Sequence, residues 1–257
     1  MMPMPLFPIP RAADDAWVAG VDGCPGGWLV VLRRLADAQA ASARLLARFA
    51  DVLALSEQPA IIAVDMPIGL AERTVIGGRP ADIEARARLG ARQSAVFAVP
   101  SRAAVMQTDY RQACDVAFAT SDPPRMVSKQ CFHLFPKIRE IDALMTPQLQ
   151  ARVLECHPEL GFWALNGCRP LSEPKKVKSR PHEPGLEQRR QLLQAAGFDR
   201  QFLLDRGAFK RADVGPDDLL DAAACAASAA RIARGHGHRF PENPPHDPLG
   251  LRMEIWG

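Results

Sequence analysis

Trp17-Val-Ala-Gly-Val-Asp22-Gly-Cys-Pro-Gly-Gly-Trp-Leu-Val-Val31 joins two apolar runs through a carboxylate and a glycine-rich turn. Short apolar runs bounded by Gly and Pro read as strands, and the brief link between them reads as a hairpin. Gly23, Gly26 and Gly27 supply the backbone freedom, and Pro25 the fixed φ, that a tight reversal needs. Asp22 is placed at the end of the first strand, where an aspartate serves equally well as a turn former. A second stretch with the same ending widens its meaning: Ala60-Ile-Ile-Ala-Val-Asp65-Met-Pro-Ile-Gly69. Two strands that each end in Asp bring two carboxylates to one edge of a sheet.

Beyond the hairpin, residues 43–48 predict a third strand and residues 49–57 a short helix. Ile61 to Val64 is apolar throughout, as expected of a strand covered on both faces. It is therefore placed centrally, parallel to the first strand through a helical crossover. Open α/β sheets hold their ligands at the carboxyl ends of such strands. Arg152 to Cys156 predicts another short strand, with His157-Pro158 opening the next helix. Glu155 is thereby a third strand-end acid, although a solvent-facing or helix-start glutamate accounts for it equally. Residues 81–92, 108–119, 137–144 and 186–196 predict further helices, and Leu251 to Trp256 a closing edge strand.

The clearest helix opens as Gly215-Pro-Asp217-Asp218-Leu-Leu-Asp221, continues through alanines to Arg234 and closes at Gly235. Its small residues permit close approach to a sheet. Asp217 has a sufficient structural role in the first turn, where a carboxylate suits the helix dipole, whereas Asp221 lies beyond that benefit. At about 100° per residue the three carboxylates share one face, and such crowding of like charge asks for a cation. Oxygen-rich sites suit Mg²⁺ or Mn²⁺, ions that serve phosphate chemistry.

A chain of 257 residues is long enough for a full core and is read as one domain over 17–257, after a proline-rich leader over 1–16 expected to be disordered. That leader lacks the basic and continuous apolar stretches of a signal peptide, so the protein is expected to be cytoplasmic, with no membrane partner. Six scattered cysteines, without C-x-x-C or zinc-ligand spacing, read as thiols. Net charge is only +3, so any nucleic-acid surface must be local. Positive clusters fall at Arg79 to Arg102, including Arg88, Arg92 and Arg102, on the predicted helix bearing Lys137, and in a proline-rich loop over about 168–185 carrying Lys175, Lys176 and Lys178. Arg206, Lys210 and Arg211 form another. Each is a solvated face or a phosphate-facing one; Glu84, four residues before Arg88, supplies an ordinary ion pair. His236 and His238 are two isolated loop histidines rather than a ligand set.

Asp22 in Gly-Val-Asp-Gly, Asp65 in Val-Asp-Met-Pro-Ile-Gly and Asp218-x-x-Asp221-Ala on a late helix resemble the RNase H-like superfamily, in particular its RuvC-type branch. From about Val18 to Ile255 the chain more closely resembles the bacterial family known as domain of unknown function 429, predicted RNase H-like nucleases. Arg88-Leu-Gly to Phe97, Pro136-Lys-Ile-Arg-Glu140, Glu155-Cys-His-Pro-Glu159 and Lys175-Lys176 carry that likeness further. The resemblance implies an α/β fold with an RNase H-like mixed sheet, three antiparallel strands followed by parallel α/β units, and a helical insertion over about 79–150. It also implies an acidic two-metal site. Asp65 stands where RuvC-type resolvases carry a glutamate.

The leading expectation is a nuclease in which Asp22, Asp65, Asp218 and Asp221 hold Mg²⁺ or Mn²⁺ for phosphodiester hydrolysis. Arg88, Arg92, Arg102, Lys137, Glu155, Lys175 and Lys176 would line the path of a nucleic acid or nucleotide. A single tyrosine leaves no aromatic platform for stacking bases. Two other readings stay open. The glycine-rich hairpin also resembles the phosphate-contacting hairpin of actin-like ATPases and sugar kinases, and a non-catalytic phosphate-binding module is the third.

Overall fold

The structure, a computed structural model, describes residues 11–37, 39–178, 180–205 and 209–257. Its centre is a mixed sheet. β1 (Trp17–Cys24) and β2 (Gly27–Arg34) form the expected hairpin, linked by Pro25 and Gly26. Gly27 has φ +133°, and a Cβ there would overlap the carbonyl oxygen of Leu46, so the turn requires glycine twice over. β3 (Ser42–Leu46) pairs antiparallel with β2, α1 (Phe49–Leu53) crosses over, and β4 (Ile61–Asp65) returns parallel to β1.

A long excursion follows. It carries β5 (Thr74–Val75), α2 (Pro80–Leu89), α3 (Arg102–Val105), α4 (Tyr110–Ala119), β6 (Ser121–Asp122), α5 (Lys129–Phe132) and α6 (Phe135–Asp142). β7 (Val153–Glu155) then joins the sheet parallel to β4, giving the order β3-β2-β1-β4-β7. Three antiparallel strands followed by parallel units is the order anticipated. α7 (Pro158–Leu165), the hairpin of β8 (Lys176–Val177) and β9 (Arg180–Pro181), α8 (Glu183–Ala195), α9 (Arg200–Leu204) and α10 (Asp218–Ala233) come next. β10 (Arg239–Phe240) and β11 (Ile255–Trp256) pair at the close.

Strand alternation sorts the sheet into two faces. Ala19, Val21, Ile62, Val64 and Val153 point one way, into a core shared with Ala113, Phe135 and Ile138 of the excursion. Val18, Ile61, Ala63 and Leu154 point the other way, against Cys225, Ala229 and Ala230 of α10. Complete burial of one such aliphatic side chain contributes roughly 2 kcal/mol, so both layers are substantial. Gly20 lies on the α10 side, and a Cβ there would overlap the backbone of Ala222 and Ala226. The glycine in the strand and the alanines in the helix thus make one close contact. It sets how near α10 rides to the carboxyl ends of β1 and β4.

Several boundaries differ from the sequence reading. β1 runs two residues past Asp22, because the hairpin ladder with β2 continues to Cys24 after the ladder with β4 has ended at Asp22. Residues 11–16, assigned to the leader, include Ala12, whose N–H donates to the Ala233 carbonyl at 3.1 Å at the end of α10. Residues 1–10 lie outside the described residues. The proline-rich stretch at 168–185 is not wholly irregular, since β8 and β9 pair within it. Among the described residues no helix is long and apolar enough to cross a membrane.

Candidate functional site

The register of the sheet creates the site. Asp22 and Asp65 are direct partners at the last position of the β1–β4 ladder. Paired residues of parallel strands project to the same side, and these two share the side of Gly20 and Ala63, facing α10. Asp22 is 8% exposed, and neither carboxylate has a hydrogen-bond or ion-pair partner among the described residues. Burial first, and then the charges of Asp65, Asp221 and Asp218, push the Asp22 carboxyl far above the usual range. Burial likewise carries Asp65 up to about 7, with Lys175 pulling it down and Glu159 pushing it up.

The opening of α10 supplies the facing acids. Asp221 is buried, and burial raises its carboxyl to about 6 against the pull of Lys175. Its Oδ2 accepts from Lys175 Nζ, while its Oδ1 is buried without a partner. Asp217 occupies the N-cap position yet makes no capping bond; its Oδ2 lies 2.8 Å from Lys176 Nζ and 3.4 Å from Lys175 Nζ. Burial works against its ionisation, but the two lysines outweigh burial and hold its carboxyl below the ordinary value. Asp218 instead accepts the Gly215 N–H at 2.6 Å, closing the turn that starts the helix. Burial still leaves its carboxyl somewhat raised.

Asp217, expected to serve only the helix start, pairs with Lys175 and Lys176, while Asp218, expected to hold metal, accepts from Gly215 and its charge still acts on Asp22. Asp217 joins Asp221 at the lysines, and Asp218 carries the local backbone bond.

Lys175 is placed by its surroundings. His182 N–H donates to the Lys175 carbonyl at 2.9 Å, and Gly185 at the start of α8 leaves room for the Pro174 carbonyl, where a Cβ would overlap it. Arg189 ties the segment down, donating to the Glu173 carbonyl at 3.1 Å while its Nε and Nη2 grip Glu159 Oε1 at 3.1 and 2.5 Å. Glu159 Oε2 is buried without a partner. Burial disfavours the Lys175 ammonium, but Asp221 and Asp217 prevail and keep it protonated.

Lys137 reaches the rim of the site from α6. Its Nζ donates to the Gly27 carbonyl at 2.6 Å and sits 4.5 Å over the Trp28 ring. Gly23 makes room for its stem, because a Cβ there would come within 2.7 Å of Lys137 Cδ. Nearby Glu140 accepts from the Trp28 Nε1–H at 3.0 Å and from the Phe49 N–H, fastening α6 to the hairpin.

Four expected substrate contacts go elsewhere. Glu155 pairs in register with Val64, not Asp65, so alternation turns it to the opposite face. There it accepts from Arg79 at 2.5 and 2.8 Å and from the Ile68 N–H at 2.6 Å; Arg79, 1% exposed, also grips Asp82 at 2.8 Å. Arg102 bridges Asp142 and Asp247. Arg92 donates to the Ser172 carbonyl at 2.8 Å, and Arg88 lies over the Phe240 ring at 5.3 Å, with no ion pair to Glu84. Arg206 lies outside the described residues; His238 packs edge-on to Trp163. The six cysteines are all free thiols, Cys168 alone exposed.

The donors converging here are all hard oxygens, which fits Mg²⁺ or Mn²⁺. The unpartnered oxygens of Asp221 and Glu159, with the unpaired Asp22 and Asp65, are the positions a cation would satisfy. Among the described residues, however, no three His, Cys, Asp or Glu side chains already stand close enough together to hold an ion.

A mixed α/β protein with acids gathered at paired strand ends and at the start of a crossing helix is the class that fold and site define. The chain belongs to the family described as Protein of unknown function (DUF429), whose model matches residues 20–246. No curated protein and no solved structure matches it.

Proposed function

We propose that this protein is a divalent-metal-dependent hydrolase of phosphodiesters, acting on nucleic acid or nucleotides through the acids at the β1, β4 and α10 junction. One observation carries the reading: Asp22 and Asp65 are adjacent and turned to one side, with no hydrogen-bond donor or cation paired to either among the described residues. An unpaired buried carboxylate loses several kcal/mol of solvation relative to water, and two side by side repel as well. A fold retains such an arrangement where a bound cation relieves it. Structural acids elsewhere in this chain are treated differently, as Glu155 and Asp82 on Arg79 illustrate.

Asp22, Asp65 and the unpartnered oxygen of Asp221 would hold the ion, with Glu159 Oε2 within the same set of unsatisfied acceptors. When bound, Mg²⁺ or Mn²⁺ would polarise a phosphoryl oxygen and lower the pKa of an attacking water. Lys175 and Lys176 place positive charge beside the acids, where a phosphate's remaining charge needs it. Asp218 fixes the start of α10 and hence the position of Asp221. Lys137 holds the hairpin edge beside Asp22.

The test is cleavage of labelled single-stranded, duplex and branched DNA, RNA and nucleotides, with Mn²⁺ or with EDTA, by wild type and Asp22→Asn. Mn²⁺-dependent cleavage lost in the variant supports the reading. Cleavage that survives in EDTA, or that Asp22→Asn leaves unchanged, refutes it.

A further inference from the structure

Two kinds of carboxylate oxygen meet at this site. One kind is already satisfied by an ammonium: Asp221 Oδ2 on Lys175, and Asp217 Oδ2 on Lys176 at 2.8 Å with Lys175 at 3.4 Å. The other kind has no partner among the described residues: the carboxylates of Asp22 and Asp65, and the buried Oδ1 of Asp221. Asp221 stands between the two groups and offers one oxygen to each. Lys175 is not a surface lysine that happens to fall nearby. Its side chain is only 28% exposed, and its backbone is held through Pro174 on Gly185, Glu173 on Arg189 and its own carbonyl on His182.

We propose that the Lys175 ammonium is a built-in cation standing where a second divalent ion would otherwise bind, so that the site takes one metal ion, on the Asp22 and Asp65 side. This rests on the metal-dependent reading given above. A protonated lysine supplies positive charge and hydrogen-bond donors to a phosphate, but it offers no open coordination position and cannot activate a water. Lys175 would therefore supply the positive charge on the Asp217 and Asp221 side, and a metal's chemistry would be confined to the Asp22 and Asp65 side. An ammonium held in this way also stays in place without metal in the medium, which keeps Asp217 and Asp221 paired.

The experiment counts ions in the full-length protein, by Mn²⁺ isothermal titration and by electron paramagnetic resonance of free Mn²⁺, for wild type and Lys175→Met. Methionine keeps the length of the stem and removes the charge. Wild type is expected to bind one Mn²⁺ and Lys175→Met two. Two ions in wild type, or one in Lys175→Met, overturns the proposal. No binding by either protein overturns the metal reading itself, and the lysine assignment with it. Should Lys175→Met not fold, the wild type still decides by ¹⁵N-lysine spectroscopy. A slowly exchanging Lys175 ammonium signal is expected both before and after saturation with Mg²⁺. Its loss on adding Mg²⁺ would mean that the metal evicts the lysine, contrary to the proposal.

Discussion

Asp65→Asn in metal-free protein should stabilise the fold, and by an amount that depends on pH in a defined way. Burial raises the Asp65 carboxyl from an ordinary 3.8 to about 7, so the folded chain binds that proton more tightly than the unfolded chain does. Below about pH 4 the group is protonated in both states and contributes nothing. As pH rises from about 4 to about 7 the unfolded chain ionises first, and the wild type loses stability; above about 7 the loss is complete. Three pK units correspond to roughly 4 kcal/mol. Asp65 is only partly buried by surface, and solvent at its rim brings the figure toward 2–3 kcal/mol. For a chain of this size that is a rise in Tm of roughly 5–10 °C. Urea unfolding of wild type and Asp65→Asn in EDTA, from pH 4 to 8, should show curves that meet near pH 4 and separate until about pH 7. A variant less stable than wild type at pH 8, or a difference that ignores pH, would refute the claim that this carboxylate is held without a partner.

Glu155→Gln should destabilise by about 3–5 kcal/mol, read from urea melts, since it leaves the buried Arg79 guanidinium short of a charged partner, and Mn²⁺ affinity should stay within twofold of wild type. Asp218→Asn should lower stability by about 1–2 kcal/mol through its bond to Gly215, while Asp221→Asn should abolish Mn²⁺ binding in calorimetry. Gly20→Ala should lower stability by about 3 kcal/mol or more in the same melts, because the strand and α10 cannot both keep their places around the added methyl group.

The sheet was legible because strand and turn signals agreed with one another. An unbroken apolar run at Ile61 to Val64, a glycine-rich reversal after Asp22 and a crossover between them leave little choice of topology, and Asp22 beside Asp65 follows from it. Glu155 shows what sequence order leaves open. It ends a strand as Asp65 does, but β7 is offset by one residue relative to β4, and alternation sends its side chain into the other layer. Arg92 and Arg102 belong to a positive run whose partners, the Ser172 carbonyl, Asp142 and Asp247, lie far along the chain, beyond any local pattern. Glu159 had a local signal in the second acid of Glu155-Cys-His-Pro-Glu159. Its meaning depended on Arg189, which satisfies one of its oxygens and leaves the other bare.

Anomalous scattering from a crystal of the full chain soaked in Mn²⁺ tests the central claim most directly. The account predicts one peak within coordinating distance of Asp22 and Asp65, with Lys175 still on Asp221. Crystals soaked to saturation that show no peak at these carboxylates would contradict it.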